Sequence, residues 1–259
     1  MKLFRWLFLL CLVLLAACAG RQPPGGSSQL SAPDSARMLR TVKAKNAELA
    51  AYKGIGRIGI QNSGNSWGVR AAWVAAPDGR LRVAALSLTG QAFARMICDP
   101  CKCYFIFRSA DEGCLRRETP GDRSLAPLVG MDLAAGDLVR LLGGGAPLVD
   151  YDSAVAYDMD SGEKLVVLQK RFFGTVETIR FSPDMAHVRE VTVYGWRGPA
   201  YRAKITSRQQ VNGQSMPFAL EISDESGNRM RVSVERCWIN IKPPAEAFST
   251  ELPEGARCD

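Results

Sequence analysis

The chain has 259 residues and a formal net charge of +7, with 33 Lys and Arg against 26 Asp and Glu. Charges of both signs are interspersed, as where Glu118 follows Arg116 and Arg117, so the composition excludes the continuous basic stripe typical of nucleic-acid binding. The length is sufficient for one sizeable core.

The N-terminus has the pattern of an export signal. Lys2 and Arg5 precede an apolar run over residues 7–17, about half of the ~20 residues that a membrane-spanning helix needs. The segment Leu15-Ala16-Ala17-Cys18 resembles the bacterial lipobox, in which the chain is cut before the Cys and its thiol is acylated. We therefore expect a signal peptide at 1–17 and a lipid anchor on Cys18; an ordinary signal with a chance Cys is the alternative.

The residue after the lipobox-like segment also predicts the membrane in which the protein is anchored. Ala19 follows the Cys where Asp would signal retention in the inner membrane, so we expect a lipid-anchored protein on the periplasmic face of the outer membrane. Residues 18–35 are rich in Pro, Gly and Ser, and predict a flexible tether before a folded domain at 36–259.

The folded domain is predicted to open with one helix. Asp34 or Ser35 can cap it. One apolar face is predicted for it, and Gly54 is predicted to end it. The predicted face consists of Met38, Leu39, Val42, Leu49 and Tyr52.

After Gly54 the apolar period changes to two, which predicts strands. Five strand-like segments precede a helical interruption at "SLAPLVGMDLAAGDLVRLLGGG", and seven follow it. Within the interruption, Asp132 is predicted to cap a helix over Leu133 to Leu142, and Gly143 to end it. A dozen or so consecutive antiparallel strands must close or curl to hide their edges, and a sheet of that size can enclose a ligand.

Six cysteines remain once the leader and the acylated Cys are set aside, and an exported chain favours structural disulfides. A four-residue loop places Cys98 opposite Cys103, within the roughly 4.4–6.8 Å between Cα atoms that a disulfide needs, and Cys98–Cys101 is the rival pairing. A zinc site or a redox-active pair at this cluster is a further alternative. The disulfide candidates are Cys98, Cys101, Cys103, Cys114, Cys237 and Cys258.

The remaining pairings stay open. Cys114 lies beyond the next turn, so it needs a partner from elsewhere, and Cys237–Cys258 would attach the C-terminal tail to the sheet. Nothing in the sequence indicates an enzyme. The one histidine, His187, has no nucleophile motif that points to it, and Gly143-Gly144-Gly145 lacks the Lys of a phosphate-binding loop. We expect no cofactor, no metal and no nucleic-acid partner.

Three stretches carry a resemblance to a known family. They are "YKGIGRIGI…WGVRAAW…RLRVAALSLTGQAFARMI", "LVGMDLAAGDLVRLLGG" and "MPFALEISDESGNRMRVSVERCWI". In this order they resemble the LolB-like outer-membrane lipoprotein receptors of the LolA/LolB half-barrel superfamily. The resemblance implies a mainly β fold: a half-open antiparallel barrel of about 11–13 strands with a helical lid.

The same resemblance implies a function. Family members accept acylated lipoproteins from a soluble periplasmic carrier and pass them into the outer membrane, using an apolar cavity and a membrane-contacting loop. That loop corresponds to Leu88, Thr89 and Gly90, where Thr89 stands in place of the usual Leu. Arg140 replaces a usual Trp in the lid, and the stretch from Asp150 to Phe173 resembles an added strand pair.

Seven strand residues are candidates for lining the acyl cavity, although an ordinary core position is the favoured interpretation for any one of them. The function has an alternative too, in which a structural or assembly lipoprotein uses the same fold to hold a protein partner. A cavity continuous with the loop favours acyl binding; a filled core and an apolar outer patch favour the alternative. The candidates are Trp73, Leu86, Phe93, Phe105, Phe218, Leu220 and Trp238.

Overall fold

In the computed structural model, one antiparallel sheet of 14 strands dominates the molecule. The structure describes residues 27–48, 50–62, 64–99, 102–109, 113–118 and 124–249. The strands are β1 (Ser27–Gln29), β2 (Tyr52–Asn62), β3 (Asn65–Ala75), β4 (Leu81–Leu86), β5 (Ala92–Cys98), β6 (Cys103–Ser109), β7 (Gly113–Glu118), β8 (Ser153–Met159), β9 (Lys164–Lys170), β10 (Gly174–Phe181), β11 (Val188–Gly195), β12 (Gly198–Val211), β13 (Gln214–Ser223) and β14 (Arg229–Trp238).

The strand order is β1-β8-β9-β10-β11-β12-β13-β14-β2-β3-β4-β5-β6-β7. The edge strands β1 and β7 do not pair with each other, so the sheet is a half-open barrel. Long-range pairing of β14 with β2 joins the two halves, for example where Met230 lies opposite Ile60. The expected fold class is confirmed.

The helices are α1 (Ala32–Glu48), α2 (Ala126–Val129) and α3 (Ala135–Leu142), and a short 3-10 helix covers Ala245–Phe248. The three α-helices pack on one face of the sheet, which we call the inner face. The 3-10 helix packs on the opposite, outer face. α1 carries the chain from the edge strand β1 to β2 and buries Met38, Leu39 and Val42. Within the described segments, none of the helices combines the length and apolarity needed to cross a bilayer.

The inner face holds the core because the strands alternate. In β2 every second residue from Tyr52 to Ile60 is buried, while Lys53 and Arg57 on the outer face are exposed. Cross-strand partners share a face, so the same parity continues through Val232 of β14 opposite Ile58. The outer face carries its own small cluster, in which the 3-10 helix packs against Ala51 and Ala76.

Regular secondary structure is present before residue 36. Ser27–Gln29 pairs with β8, and the backbone N–H groups of Asp34 and Ser35 both donate to the carbonyl of Ser31. Both residues lie inside α1, so neither Asp34 nor Ser35 is the cap. The predicted helix end is wrong as well, because Tyr52 lies in β2; Leu49 falls outside the described residues.

The helical interruption divides into two helices rather than one. α2 ends at Gly130, whose φ of 77° is a conformation that glycine adopts easily. α3 begins after Ala134, so Asp132 does not cap it, and the predicted stop at Gly143 is correct. A bridge between Ser124 and Ala134 closes the segment into a compact loop.

Two strands were missing from the predicted set. β1 consists of three polar, uncharged residues, Ser-Ser-Gln, and β7 is rich in charged residues. Neither strand therefore shows apolar alternation. The added pair expected between Asp150 and Phe173 is present as β8 and β9.

All connections between sequential strands fall at one of two edges of the sheet. We call the upper edge the one that carries the turns after β2, β4, β9, β11 and β13. The lower edge carries the turns after β3, β5, β8, β10 and β12. This division positions the candidate site.

Candidate functional site

An apolar cavity of about 310 Å³ lies between the inner face of the sheet and the helices α2 and α3. Its floor comes from β2 to β6 and β14, and its roof from Leu125, Leu128 and Val129 around α2 and Leu138 and Leu142 of α3. The floor residues include Ile58, Ile60, Trp67, Val69, Ala71, Trp73, Val83, Ala85, Phe93, Ala94, Met96, Phe105, Phe107, Met230 and Val232.

The cavity contains no charged group from the described lining. Arg95 borders it, but Arg95 lies opposite Ala84 and Ile106, which have outward parity. Burial lowers the pKa of Arg82 on the outer face, and the charge of Arg95 lowers it further, which places the Arg95 guanidinium on that side. A ligand in the cavity therefore meets hydrocarbon and aromatic rings.

Small residues on the floor make the space. Ala71, Ala85 and Ala94 occupy neighbouring inward positions across β3, β4 and β5. Gly54 lies under the indole of Trp73, and a Cβ there would come within 2.4 Å of that ring. Larger side chains at these inward positions would fill the volume between sheet and lid, so the cavity follows directly from the sequence.

The cavity is closed at the lower edge and open at the upper edge. Ala75, Leu81 and the disulfide-bonded Cys98 and Cys103 are fully buried at the lower end. At the upper end, Trp67, Phe93 and Phe107 line the cavity and are also exposed to solvent. We call this opening the mouth; it is rimmed by aromatic rings.

A turn with a fully exposed leucine projects beside the mouth. The N–H of Ser87 donates to the carbonyl of Gln91 and that of Gly90 to Ser87, and Gly90 adopts a φ of 83°. This geometry points Leu88 away from the protein, with an exposure of 108 %. The loop predicted at Leu88, Thr89 and Gly90 therefore stands at the entrance to the cavity, and the alternative that Leu88 is a core residue is wrong.

Polar contacts fasten the lid, formed by α2 and α3, to both halves of the inner face. The Tyr201 hydroxyl of β12 donates to Asp137 Oδ2 of α3 over 2.9 Å, and Tyr52 donates to the carbonyl of Val139. Glu177 of β10, which is fully buried, accepts hydrogen bonds from the N–H groups of Leu148 at 3.3 Å and Val149 at 2.8 Å. We call Tyr201, Asp137 and Glu177 the latch.

Burial controls the protonation of the latch. Desolvation raises the pKa of Glu177 to about 7, opposed by the two backbone hydrogen bonds, and the nearby Asp137 raises it further. Desolvation also raises the pKa of Asp137, against the stabilising hydrogen bond from Tyr201 and the charge of Arg140. The Arg140 guanidinium lies 3.7 Å from the Asp137 carboxylate and is partly exposed.

The structure brings three of the seven predicted lining residues to the cavity: Trp73, Phe93 and Phe105. The other four do not line it. Leu86 faces outward, because it pairs with Arg70 and follows the inward Ala85 directly in β4. Leu220 shares the inner face but is buried in the core, and Phe218 falls at a register shift.

Trp238 lies on the outer face. It pairs with Lys53 and borders a separate groove of about 270 Å³ there, with Val74 and Arg82. Parity could not be read from the sequence because single-residue bulges reverse it. Trp67 and Phe107 were missed; the β2–β3 hairpin around Asn62 to Asn65 would have placed Trp67 opposite Ile60.

The cysteines are only partly described. Cys98 and Cys103 form a disulfide, as one of the two predicted pairings proposed. Cys237 is a free, half-buried thiol opposite Gly54 on the inner face, and burial raises its pKa to about 11. The other candidates give no test: Cys18, Cys101 and Cys258 lie outside the described residues, as does the side chain of Cys114.

Neither metal binding nor histidine chemistry is indicated in the part of the chain that the structure describes. That part contains no cluster of three or more potential metal ligands. His187 lies in the lower-edge turn after β10, where its N–H donates to the Ser182 hydroxyl; burial lowers its pKa, and the charge of Arg208 lowers it further.

The fold is shared with solved structures of low sequence identity. A domain designated an outer membrane lipoprotein-sorting protein, from Vibrio parahaemolyticus, is 7% identical with a TM-score of 0.57, over 84% of this chain and 97% of that one. A DUF1329 family protein from Desulfovibrio piger is 8% identical with a TM-score of 0.57, over 83% and 97%. A LolA superfamily protein from Nitrosomonas europaea is 10% identical with a TM-score of 0.52, over 83% and 97%.

These similarities show the LolA-like fold. No protein-family model matches the sequence, and no curated protein sequence matches it significantly. The structural neighbours share the fold expected from the sequence and do not distinguish LolB-like receptors among the proteins that have it.

Proposed function

We propose that this protein binds acyl chains of lipoproteins in the inner cavity and releases them into the outer membrane at the mouth. The observation that carries the proposal is a cavity lined by apolar groups that opens at the edge where Leu88 projects. The site performs binding and release, and no covalent step is required.

The chemistry of the lining favours hydrocarbon. Pockets for small polar ligands combine apolar walls with a few directed polar groups, and the one charged residue in the described lining here, Arg95, has outward parity. A ligand with unsatisfied hydrogen-bonding groups would lose roughly 1–3 kcal/mol for each group left without a partner. An acyl chain has no such groups, so it is the ligand class that the cavity accepts at least cost.

Release follows from the same chemistry. Each methylene gains ~0.8 kcal/mol on leaving water, whether it enters the cavity or a bilayer. Transfer from the cavity to a membrane in contact with the mouth therefore exchanges one apolar environment for another. The chain never crosses water, so the barrier stays low when mouth and bilayer touch.

The expected location completes the proposal. We propose that Cys18 carries the acyl anchor, that the domain works at the periplasmic face of the outer membrane, and that a soluble periplasmic carrier supplies the cargo. The name of the Vibrio parahaemolyticus neighbour, a lipoprotein-sorting domain, agrees with this role. At most about 30 Å of extended chain separates Cys18 from Ser27, at ~3.3–3.6 Å per residue, so the domain would stay close to the surface.

Cavity occupation can be tested with a pair of neighbouring alanines. Ala85 faces the cavity and Ala84 faces the outer groove, so Ala85→Phe should fill the site while Ala84→Phe adds the same ring on the other side. We expect uptake of a fluorescent triacylated lipopeptide to fall by about tenfold or more in Ala85→Phe, equivalent to ~1.4 kcal/mol or more. Equal uptake by both variants would exclude this cavity as the acyl site and favour the assembly-factor alternative.

A further inference from the structure

Two neighbouring turns at the upper edge carry aromatic side chains in solvent. Phe172 and Phe173 occupy the turn between β9 and β10, with exposures of 86 % and 64 %, and Trp196 occupies the turn between β11 and β12, with 87 %. We call these three residues the aromatic tips. They are, with Leu88, the most exposed large apolar side chains among the described residues.

The aromatic tips lie at the same edge of the sheet as the mouth. From β10 through β14 and on through β2 to β5, each strand is antiparallel to its neighbour. The hairpin turns therefore fall alternately at the upper and the lower edge. The turns at Phe172, Trp196 and Leu88 consequently share the upper edge. At ~4.8 Å per strand, the seven steps from β10 to β4 separate the two groups by ~34 Å along the sheet.

Turn formation does not require these rings. The hairpins at the lower edge are closed by Pro77-Asp78-Gly79, Asp160-Ser161-Gly162 and Asn212-Gly213, which are polar residues with the usual turn propensities. None of the aromatic tips belongs to a hydrophobic cluster of the domain. These lower-edge turns have no counterpart to the exposed rings of the aromatic tips, which indicates an interaction at the upper edge.

The charges around the aromatic tips are mixed. Lys170 forms an ion pair with Asp150 at 2.5 Å, and the N–H of Arg171 donates to Asp152 while its guanidinium lies 5.5 Å from the Phe172 ring. Glu225 lies in the polar turn between β13 and β14. Its carboxylate is close to Gly198, which follows the turn that holds Trp196. A surface of nearly balanced charge with projecting rings suits the headgroup zone of zwitterionic phospholipid.

We propose that the aromatic tips enter the headgroup region of a zwitterionic bilayer and form a second membrane contact beside the Leu88 turn. The inference rests on the proposed function and adds to it the orientation of the domain. One inserted turn acts as a pivot, whereas two contacts far apart on one edge hold the mouth against the membrane. Trp and Tyr are enriched at this depth of a bilayer because their rings are amphipathic.

A bilayer fits this surface better than a protein pocket does. Protein partners hold aromatic anchors in packed, dehydrated pockets near the centre of an interface. The aromatic tips instead project from separate turns, and the polar turn at Glu225 lies between Trp196 and Leu88 along the edge. A deformable planar surface can receive both groups at once.

Vesicle binding tests the contact directly. The chain at residues 19–259, which keeps all described elements and carries no acyl anchor, would be titrated with phosphatidylcholine vesicles whose acyl chains are brominated. We expect the brominated lipid to quench the fluorescence of Trp196. The quenching should therefore decrease in Trp196→Phe and stay unchanged in Trp238→Phe, because Trp238 lies at the lower end of β14. Unquenched Trp196, or quenching only when anionic lipid is added, would overturn the proposal.

A functional arm separates this inference from the acyl-binding proposal. The variant Phe172→Ser/Phe173→Ser/Trp196→Ser should take up triacylated lipopeptide as the wild type does, and pass it to vesicles at least about tenfold more slowly. Trp238→Ser is the control for loss of an exposed Trp. Normal transfer by the triple variant would contradict the second contact alone, whereas failed uptake by the wild type would contradict the proposed function. Slow transfer by the triple variant without quenching of Trp196 would contradict lipid contact by the aromatic tips.

Discussion

The two halves of the inner face use the same sheet in opposite ways. Over β2 to β6 and β14, small inward residues such as Ala71 and Ala85 leave an open, uncharged cavity. Over β8 to β13, larger side chains such as Phe181 and Leu168 fill the space, and Glu177 and Tyr201 place polar groups beneath the lid. Inward side-chain volume, rather than backbone topology, decides which half is empty.

α3 spans this contrast. Its Leu138 and Leu142 roof the cavity by apolar contact alone, while Asp137 on the same helix bonds to Tyr201 on the filled half. Tyr52 of β2, on the cavity half, adds a hydrogen bond to the carbonyl of Val139, so directional bonds hold the helix to both halves.

The largest effect on stability is expected at Glu177. Its folded pKa of about 7 exceeds the ordinary 4.5, so the folded protein binds this proton more tightly than the unfolded chain. The free energy of unfolding from this group is therefore greatest below pH 4.5 and falls as pH rises through 7, by ~3 kcal/mol at 1.36 kcal/mol per pKa unit. Glu177→Gln should remove that decline in urea unfolding measured from pH 4.5 to 8.

The control for this pH dependence is Glu235→Gln. Glu235 is an exposed carboxylate whose pKa is lowered by its hydrogen bond from Arg70, so its replacement should not change the slope between pH 5 and 8. Identical slopes for the wild type and Glu177→Gln would show that the latch carboxylate does not titrate in this range.

A smaller effect is expected at the closed end of the cavity. Cys98 and Cys103 are five residues apart, and a loop of this size contributes ~2 kcal/mol by restricting the unfolded chain. Cys98→Ala/Cys103→Ala should lose about that much free energy of unfolding, while Cys237→Ala, which removes a free thiol, tests the effect of losing sulfur alone. Peptide mapping without reductant that finds Cys98 joined to Cys101 would contradict the pairing.

The smallest effect on stability, and a large one on transfer, is expected at the mouth. Leu88 is fully exposed, so Leu88→Glu should change the free energy of unfolding by less than about 0.5 kcal/mol. Uptake of triacylated lipopeptide should persist, but delivery to liposomes should fall, because an inserted Leu gains roughly 1.5–3 kcal/mol and a Glu is penalised. Thr89→Glu is the control, because it adds the same charge one residue away and keeps Leu88. Equal delivery by the wild type and Leu88→Glu would exclude membrane contact by this turn.

The sequence predicted the architecture better than the wall of the cavity. Periodicity located most strands, and the resemblance supplied the half-open barrel and the exposed turn at Leu88. Inward and outward faces depend on bulges such as those in the pairing of β12 with β13, and these leave no signal in a two-residue alternation. The latch was invisible for a different reason: Glu177 and Leu148 are 29 residues apart, and only the folded sheet brings a lone carboxylate under the lid.

The floor of the apolar cavity is complete only after β14 has paired with β2. Ile60 and Met230, which face each other in the cavity floor, are 170 residues apart (230 minus 60). Contacts of such high sequence separation form late, after the loop between them has closed. For a chain that crosses a membrane in extended form, the floor of the cavity stays incomplete until Ile60 and Met230 have both crossed.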